Sequence, residues 1–417
     1  MIMASVQFSM RENLMKNILV IGGGFAGVWS AAGAVRAARA AGDAGEGLRV
    51  TLVSGGDDLV IRPRMYEEDP EGMRLALDRI LGPIGVRRVT ATVTGIDTEA
   101  HTVRAVSRTG EDLELSYGKL VLATGSQAVS PKLPGAEYIF NVDTMPAAAA
   151  LNNHLKLLPE QAAAQGRYTA VVVGASFTGL EIGTAIGERL TAIAARDGAA
   201  EDVRVVLVDR ADVVGPELGE NPRPLIDSAL DELKIERRLG RTVASATDKT
   251  VTLSDGEVIP AATVVWTAGM VASPLTAQIP GERDRLGRLA VDENLRVIGV
   301  ADVYAAGDTA AAPAEVGQVT TLSCQHAQPM GKFAGHNVAA ELLGQDLLTF
   351  TPDPYGVCLD LGPAGAVVMM GWGQDRQVVV TGEEAKTLKQ NINTLWVYPP
   401  VDDAEQILAQ AGRFSNG

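Results

Sequence analysis

Three glycines carry the first chemical signal. Gly22, Gly24 and Gly27 stand at G-x-G-x-x-G spacing directly behind the apolar run from Asn17 to Ile21. A strand that breaks into this spacing and turns helical is built to receive a pyrophosphate. Gly22 permits the sharp turn, Gly24 lets phosphate approach the backbone, and Gly27 lets helix and strand pack closely. Phe25 and Ala26 lie inside the turn, and a helix from Val28 to about Ala41 aims its free N–H groups and positive dipole end at the phosphates. The unit recurs between Thr169 and Gly183, with Gly174 and Gly179 in the outer positions, Phe177 and Thr178 inside, and Ser176 in place of the middle glycine. The serine crowds a pyrophosphate unless the loop sits further out. Two such turns in one chain point to two nucleotides.

Other residues of chemical interest sit where strands should end. An acidic side chain after the second strand of such a fold grips a ribose. In the first unit that place is Ser54, with Asp57 and Asp58 close by; in the second it is Asp209, which favours NADH, while Arg210 beside it keeps NADPH open. Arg62, fixed by Pro63, reads either as a partner for a cofactor phosphate or, with Arg64, as a solvent-facing arginine beside Glu67, Glu68 and Asp69. Ala123, Thr124 and Gly125, then Gly269, then Gly307 and Asp308 each close a buried run with small residues, as a strand edge beneath a ligand would. Asp308 reads equally as a turn cap. Glu181 is read either as a group acting on a nucleotide or as a first-turn acid favouring the helix dipole.

These residues need elements to hold them. The composition, 46% hydrophobic but only 4% aromatic, describes buried Val/Ile/Leu strands flanked by alanine-rich helices. Its 417 residues fit two or three domains. We expect an α/β protein with two Rossmann-like dinucleotide-binding domains, the second inserted in the first, and a small α+β C-terminal layer. The expected boundaries are 1–145 with 272–345, 146–271, and 346–417. Runs from Val86 to Leu115 read as an antiparallel meander, 321–343 as a helix, and 356–361, 366–372 and 376–381 as short strands before a helix over 383–392. A net charge of −15 with no basic cluster argues against a nucleic-acid partner. No apolar run is long enough for a membrane span, and no signal-peptide pattern opens the chain, so a cytoplasmic protein is expected. Met1 to Lys16, with four methionines and no periodicity, reads as a frayed extension. Two cysteines, Cys324 and Cys358, and four scattered histidines offer neither a disulfide framework nor a metal site.

With both glycine turns, Ala123-Thr124-Gly125 and Ala306-Gly307-Asp308 in this order, the chain resembles the two-dinucleotide-binding-domain flavoproteins of the pyridine nucleotide oxidoreductase superfamily. The likeness runs from Asn17 to Leu343. Thr178-Gly-Leu-Glu181 is similar to the Thr-Gly-x-Glu motif of type II NADH dehydrogenases and apoptosis-inducing-factor-like NADH oxidoreductases. The resemblance implies FAD on the first fold and NAD(P)H on the second. By it, Arg62-Pro63 touches FAD as in related ferredoxin reductases, Glu181 lies near the nicotinamide, and Asp308 holds the flavin's sugar chain. It also places Cys324 near the flavin ring, and Gln325 where those dehydrogenases carry a quinone-side Ala-Gln-x-Ala-x-Gln. Cys324 to Pro329 keeps Gln325 and Ala327 of that motif but has Pro329 for its second glutamine.

The expected activity is hydride transfer from NADH to FAD, then electron transfer to a small-molecule acceptor such as a quinone. Disulfide reductases and sulfide:quinone reductases of the superfamily need cysteines in the first 323 residues, and none is there. The final seventy residues are read as lacking the apolar amphipathic helices that seat those dehydrogenases on membranes. Two other readings stay open: a reductase for an electron-transfer protein or metabolite, and an NADH-responsive sensor. Trp396 and Tyr398 read as anchors of a dimer or domain interface, or as walls of an acceptor pocket, Cys324 as a small buried residue, and His326 as packed away.

Overall fold

The computed structural model describes residues 16–315 and 317–415. The reading of Met1 to Lys16 therefore falls, save for Lys16, outside the described residues. The first glycine turn lies between strand β1 (Asn17–Ile21) and helix α1 (Phe25–Ala40). Four more strands extend from it in sequence: β2 (Arg49–Ser54), β3 (Arg87–Asp97), β4 (Thr102–Ser107) and β5 (Asp112–Ser116). On the other side stand β6 (Lys119–Leu122) and, from far along the chain, β11 (Val303–Ala305). The order is β11-β6-β1-β2-β3-β4-β5. From β11 to β3 neighbours pair in parallel; β3 to β5 pair antiparallel. The meander is thus more than an appendage. Eleven-residue β3 pairs in parallel with β2 from Arg87 to Thr90 and antiparallel with β4 from Ala91 onward, with a register shift between Val93 and Gly95 inside the antiparallel part.

Between β6 and β11 the chain builds a second sheet of four parallel strands. They are β7 (Thr169–Val173), β8 (Arg204–Val208), β9 (Glu236–Arg238) and β10 (Thr263–Trp266), in the order β9-β8-β7-β10. Helices α2 (Met145–Leu157), α3 (Phe177–Ala194) and α4 (Arg223–Glu232) belong to this stretch. The apolar run of β7 is buried on both faces, and successive side chains enter different cores: Ala170 and Val172 one, Val171 and Val173 the other.

Helix α5 (Cys324–Leu342) follows β11 and packs along α1. The two helices meet nearly backbone to backbone: a Cβ on Gly335 would lie 2.1 Å from the Ser30 carbonyl oxygen. The chain ends in an antiparallel sheet of β12 (Gly356–Asp360), β13 (Ala366–Met370) and β14 (Gln377–Thr381), then α6 (Gly382–Asn391). A π-helical turn over Ile392–Trp396 prolongs α6. An amphipathic helix, α7 (Ala404–Ala411), does occur near the end, begun by Asp403 accepting from the Gln406 N–H at 3.0 Å. Its apolar residues Ile407 and Ala411 are buried against the first core rather than turned outward.

Candidate functional site

The first glycine turn is tight everywhere except where a ligand would lie. A Cβ on Gly22, whose φ is +120°, would meet the Ala123 carbonyl oxygen at 2.1 Å, and one on Gly27 the Gly22 oxygen at 1.9 Å. A Cβ on Gly24 would meet nothing within 4 Å. Helix α1 begins at Phe25, one turn earlier than expected, with Gly24 as its N-cap and no side chain on its first N–H groups. That combination, an open cradle in front of an uncapped helix start, fits a pyrophosphate. The neighbouring strand ends supply more: the Thr124 hydroxyl is buried without a partner among the described residues, and a Cβ on Gly307 would touch Ala26. The residues fit the dinucleotide for which such turns are built.

Arg62 and Asp308 belong to one chain of contacts. Ser126 Oγ donates to Asp308 Oδ2 at 2.6 Å, and Arg62 donates to Ser126 O at 3.1 Å and pairs with Asp143. Burial pushes the Asp308 carboxyl up, against the pull of Ser126 and Arg62. Arg64 is engaged as well, bidentate to Glu67 at 2.7 and 2.8 Å and donating to Tyr398 Oη at 3.1 Å, so neither arginine is merely solvent-facing. Tyr398 serves a contact within this chain, while Trp396 is exposed. Ser54 donates its hydroxyl to Gly56 O at 2.6 Å, and Asp57 is held by Arg88, Arg108 and Thr90.

At the second turn Ser176 caps α3 with its own hydroxyl, accepting from the Phe177 N–H at 2.6 Å. Thr178 lies in that helix's first turn, and a Cβ on Gly179 would strike Gly174 O at 1.7 Å. Asp209 braces the turn: Oδ2 accepts from Ala175 N–H at 2.7 Å and Oδ1 from Ala211 N–H at 2.8 Å. Gly269 closes the loop after β10 at φ +101°.

Glu181 lies in the second turn of α3, not the first, because the helix starts at Phe177. The helix dipole therefore does not explain it. Its side chain is 3% exposed, with Oε1 2.7 Å from Lys389 Nζ and accepting the Asp360 N–H at 3.0 Å. Burial pushes the Glu181 carboxyl up while Lys389 pulls it back; burial works against the Lys389 charge, and Glu181 outweighs it. Lys389 comes from α6, and sequence reasoning passed it over. Its only signal was a lysine among the apolar-spaced positions of a polar helix. Tyr66 was missed too. Its ring packs on the core of the second sheet, and its phenol is pushed up by burial and then by the charges of Glu181 and Asp360.

Cys324 opens α5 behind the cap Ser323, and burial raises its thiol. Gln325 donates to Pro354 O at 3.2 Å and accepts Gly356 N–H at 3.4 Å, which ties α5 to the C-terminal layer. His326 is 1% exposed, stacked on Tyr355 with ring centres 5.0 Å apart, and held near pKa 4 by burial. Helix α5 runs through Pro329, which has no N–H to give the Gln325 carbonyl. Among the described residues no cluster suits a metal ion, and no helix is long and apolar enough to cross a membrane. A cavity of about 1050 Å³ opens at the far end of the first sheet, beside Arg39, Arg49 and Arg87; none of the glycine-turn residues lines it.

Two glycine-turn folds, one threaded through the other, define a dinucleotide-handling oxidoreductase. Residues 16–331 match the pyridine nucleotide-disulphide oxidoreductase family, and the chain belongs to it. It is 46% identical to an NADH dehydrogenase-like protein of Mycobacterium tuberculosis, over 95% of this chain and 98% of that one. It is 28% identical to a demethylphylloquinone reductase of Synechocystis, over 84% and 86%. The fold is also that of Plasmodium falciparum NDH2 solved in complex with NADH, with a TM-score of 0.76 at 13% identity, covering 95% of this chain and 96% of that one.

Proposed function

We propose that the protein is an FAD-dependent NADH:quinone oxidoreductase, with FAD on the first fold (1–145 and 272–345), NADH on the second (146–271), and the acceptor meeting them beside the C-terminal layer (346–417). The observation that carries this reading is the open cradle at Gly24 before an uncapped helix, with the buried Glu181–Lys389 pair joining the second fold to the C-terminal layer. FAD held there would supply a hydride acceptor for the nicotinamide and an electron donor for the acceptor.

The chain's own residues bind, orient and exclude water. The N–H groups of Phe25, Ala26 and Gly27 receive the pyrophosphate, and Asp308 and Arg62 hold the sugar chain and linker of the cofactor. Thr124, Gly125, Gly307 and Cys324 line its ring edge. On the second fold Gly174, Ser176 to Gly179 and Gly269 carry NADH, and Asp209 favours a free 2′-hydroxyl by repelling a 2′-phosphate. Glu181 holds a proton or the nicotinamide amide at the junction, and Gln325 seats the acceptor-side helix. The relatives' names support a quinone, since they include demethylphylloquinone reductase and type II NADH:quinone oxidoreductases. A visible spectrum tests the reading: a yellow preparation bleached by NADH without air and recoloured by menadione is expected. A colourless protein that takes up no flavin sinks it.

A further inference from the structure

Three parts of the molecule meet on the short segment after Arg62. Arg62 ties it to Ser126 and Asp143, Arg64 to Tyr398, and the Tyr66 carbonyl accepts a hydrogen bond from Arg189 of α3 at 3.2 Å. Arg189 is a costly tether. Its other hydrogen bond is to Asn152 Oδ1 at 2.6 Å, its Nε is buried without a partner among the described residues, no carboxylate there forms a direct ion pair with it, and burial lowers its pKa against the more distant pull of Glu68. The segment is held in place against that cost. What the tethers position is the Tyr66 side chain, which leaves the first fold and packs on the core of the second together with Phe177. Glu181 is four residues beyond Phe177 on the same helix, and Arg189 eight beyond Glu181, so tether and carboxylate lie about 12 Å apart along α3 with Tyr66 reaching between.

The Tyr66 hydroxyl makes no hydrogen bond among the described residues, although the residue is half-buried and Glu181 and Asp360 are near enough to act on it. Glu181 Oε1 is saturated by Lys389 and Asp360 N–H, so the phenol has no free claim on that oxygen. The hydroxyl is not sealed from solvent, so it is an ordered, tethered donor that an incoming acceptor atom can claim in place of water.

We propose that Tyr66 is the residue that selects a carbonyl-bearing acceptor, its hydroxyl donating a hydrogen bond to one quinone oxygen where the first fold, α3 and the C-terminal layer meet. This rests on the quinone reading above. The hydroxyl keeps its proton, because burial and the charges of Glu181, Asp360 and Glu67 disfavour the phenolate, so it orients the acceptor and no proton is transferred from it. Arg189 is a positioning residue that acts through the Tyr66 backbone.

The test uses the flavin-loaded protein and Tyr66→Phe, which removes one oxygen and keeps the ring. The dissociation constant of menadione for the oxidised protein, read by fluorescence quenching without NADH, is expected to rise about five- to tenfold, the size of one lost neutral hydrogen bond. KM for menadione rises in step. NADH-dependent bleaching, KM for NADH, and turnover with ferricyanide, which offers no carbonyl, stay unchanged. Arg189→Met is expected to weaken menadione binding similarly. Unchanged menadione binding in Tyr66→Phe with normal bleaching overturns the proposal and leaves the functional reading intact; a shift in the NADH constants alone assigns Tyr66 to the nicotinamide and overturns it too. Wild-type protein that never bleaches is a failure of the functional reading instead.

Discussion

Glu181 Oε1 and Lys389 Nζ stand 2.7 Å apart, both side chains almost wholly buried, one on the second turn of α3 and the other on α6 of the C-terminal layer. A buried ion pair contributes little net stability over an apolar replacement, but removing one partner strands the other. Lys389→Met is therefore expected to destabilise the protein by about 3–5 kcal/mol, read as a lower urea midpoint. Lys389→Met with Glu181→Gln should recover most of that loss, because no uncompensated charge remains. If the double variant is as unstable as the single, the pair is not the unit the geometry implies. Glu181→Gln alone should keep flavin content while slowing bleaching by NADH.

His326 gives the stability a pH dependence of fixed sign. Burial holds its folded pKa near 4 against an ordinary 6.5, while its Nδ1 accepts the Thr321 N–H at 3.2 Å. Between those values the unfolded chain binds a proton that the folded one refuses, so stability rises with pH. The contribution is complete above about 6.5 and is lost as pH falls toward 4, roughly 3 kcal/mol at most. Melting temperatures of wild type and His326→Gln across that window check it; the variant's curve should be flatter there. Parallel curves would mean that carboxylates elsewhere set the slope.

The sequence showed the glycine turns, the parallel strands and the order of the folds because each rests on local spacing: Val171 and Val173 announce a doubly buried strand by themselves. Both glycine turns of the candidate site are legible, and so is Glu181, but not what surrounds it. Gly24 and Gly27 lie three residues apart in one motif, whereas the partners of Glu181 are Asp360 at the end of a strand and Lys389 in a polar helix with no motif, each some two hundred residues away. Tyr66 escaped for a similar reason. Its neighbours Arg62 and Arg64 look like surface charge until Asp143 and Tyr398 are seen against them. The dual role of β3 was hidden because a strand that changes partners midway keeps one uninterrupted pattern.

The two glycines of the first turn should separate ligand binding from folding. Gly27→Ala drives a methyl to 1.9 Å from the Gly22 carbonyl, so the strand–turn–helix unit must shift; a loss of at least 2 kcal/mol is expected, about the scale of overpacking. Gly24→Ala adds its methyl to open space at φ −80°, where alanine is at ease, and should melt within about 0.5 kcal/mol of wild type. Yet that methyl fills the place of a phosphate, so Gly24→Ala should purify with a much lower ratio of flavin to protein absorbance. Wild-type flavin content in Gly24→Ala would remove the cradle from this turn.

Asp209 has two tasks that one substitution can pull apart. Its oxygens hold the Ala175 and Ala211 N–H groups, and on the proposed reading its charge also repels a 2′-phosphate. Asp209→Asn keeps an acceptor for one N–H and discards the charge, while Asp209→Ala discards both. If charge sets the choice of nucleotide, both variants raise kcat/KM for NADPH relative to NADH by about tenfold, equivalent to about 1.4 kcal/mol of relieved repulsion. If bracing of the turn dominates, Asp209→Ala loses activity with both nucleotides and Asp209→Asn keeps its preference for NADH. Arg210 is exposed beside Asp209 and can meet a 2′-phosphate once the carboxylate is gone, so Arg210→Ala in the Asp209→Asn background should erase the NADPH gain.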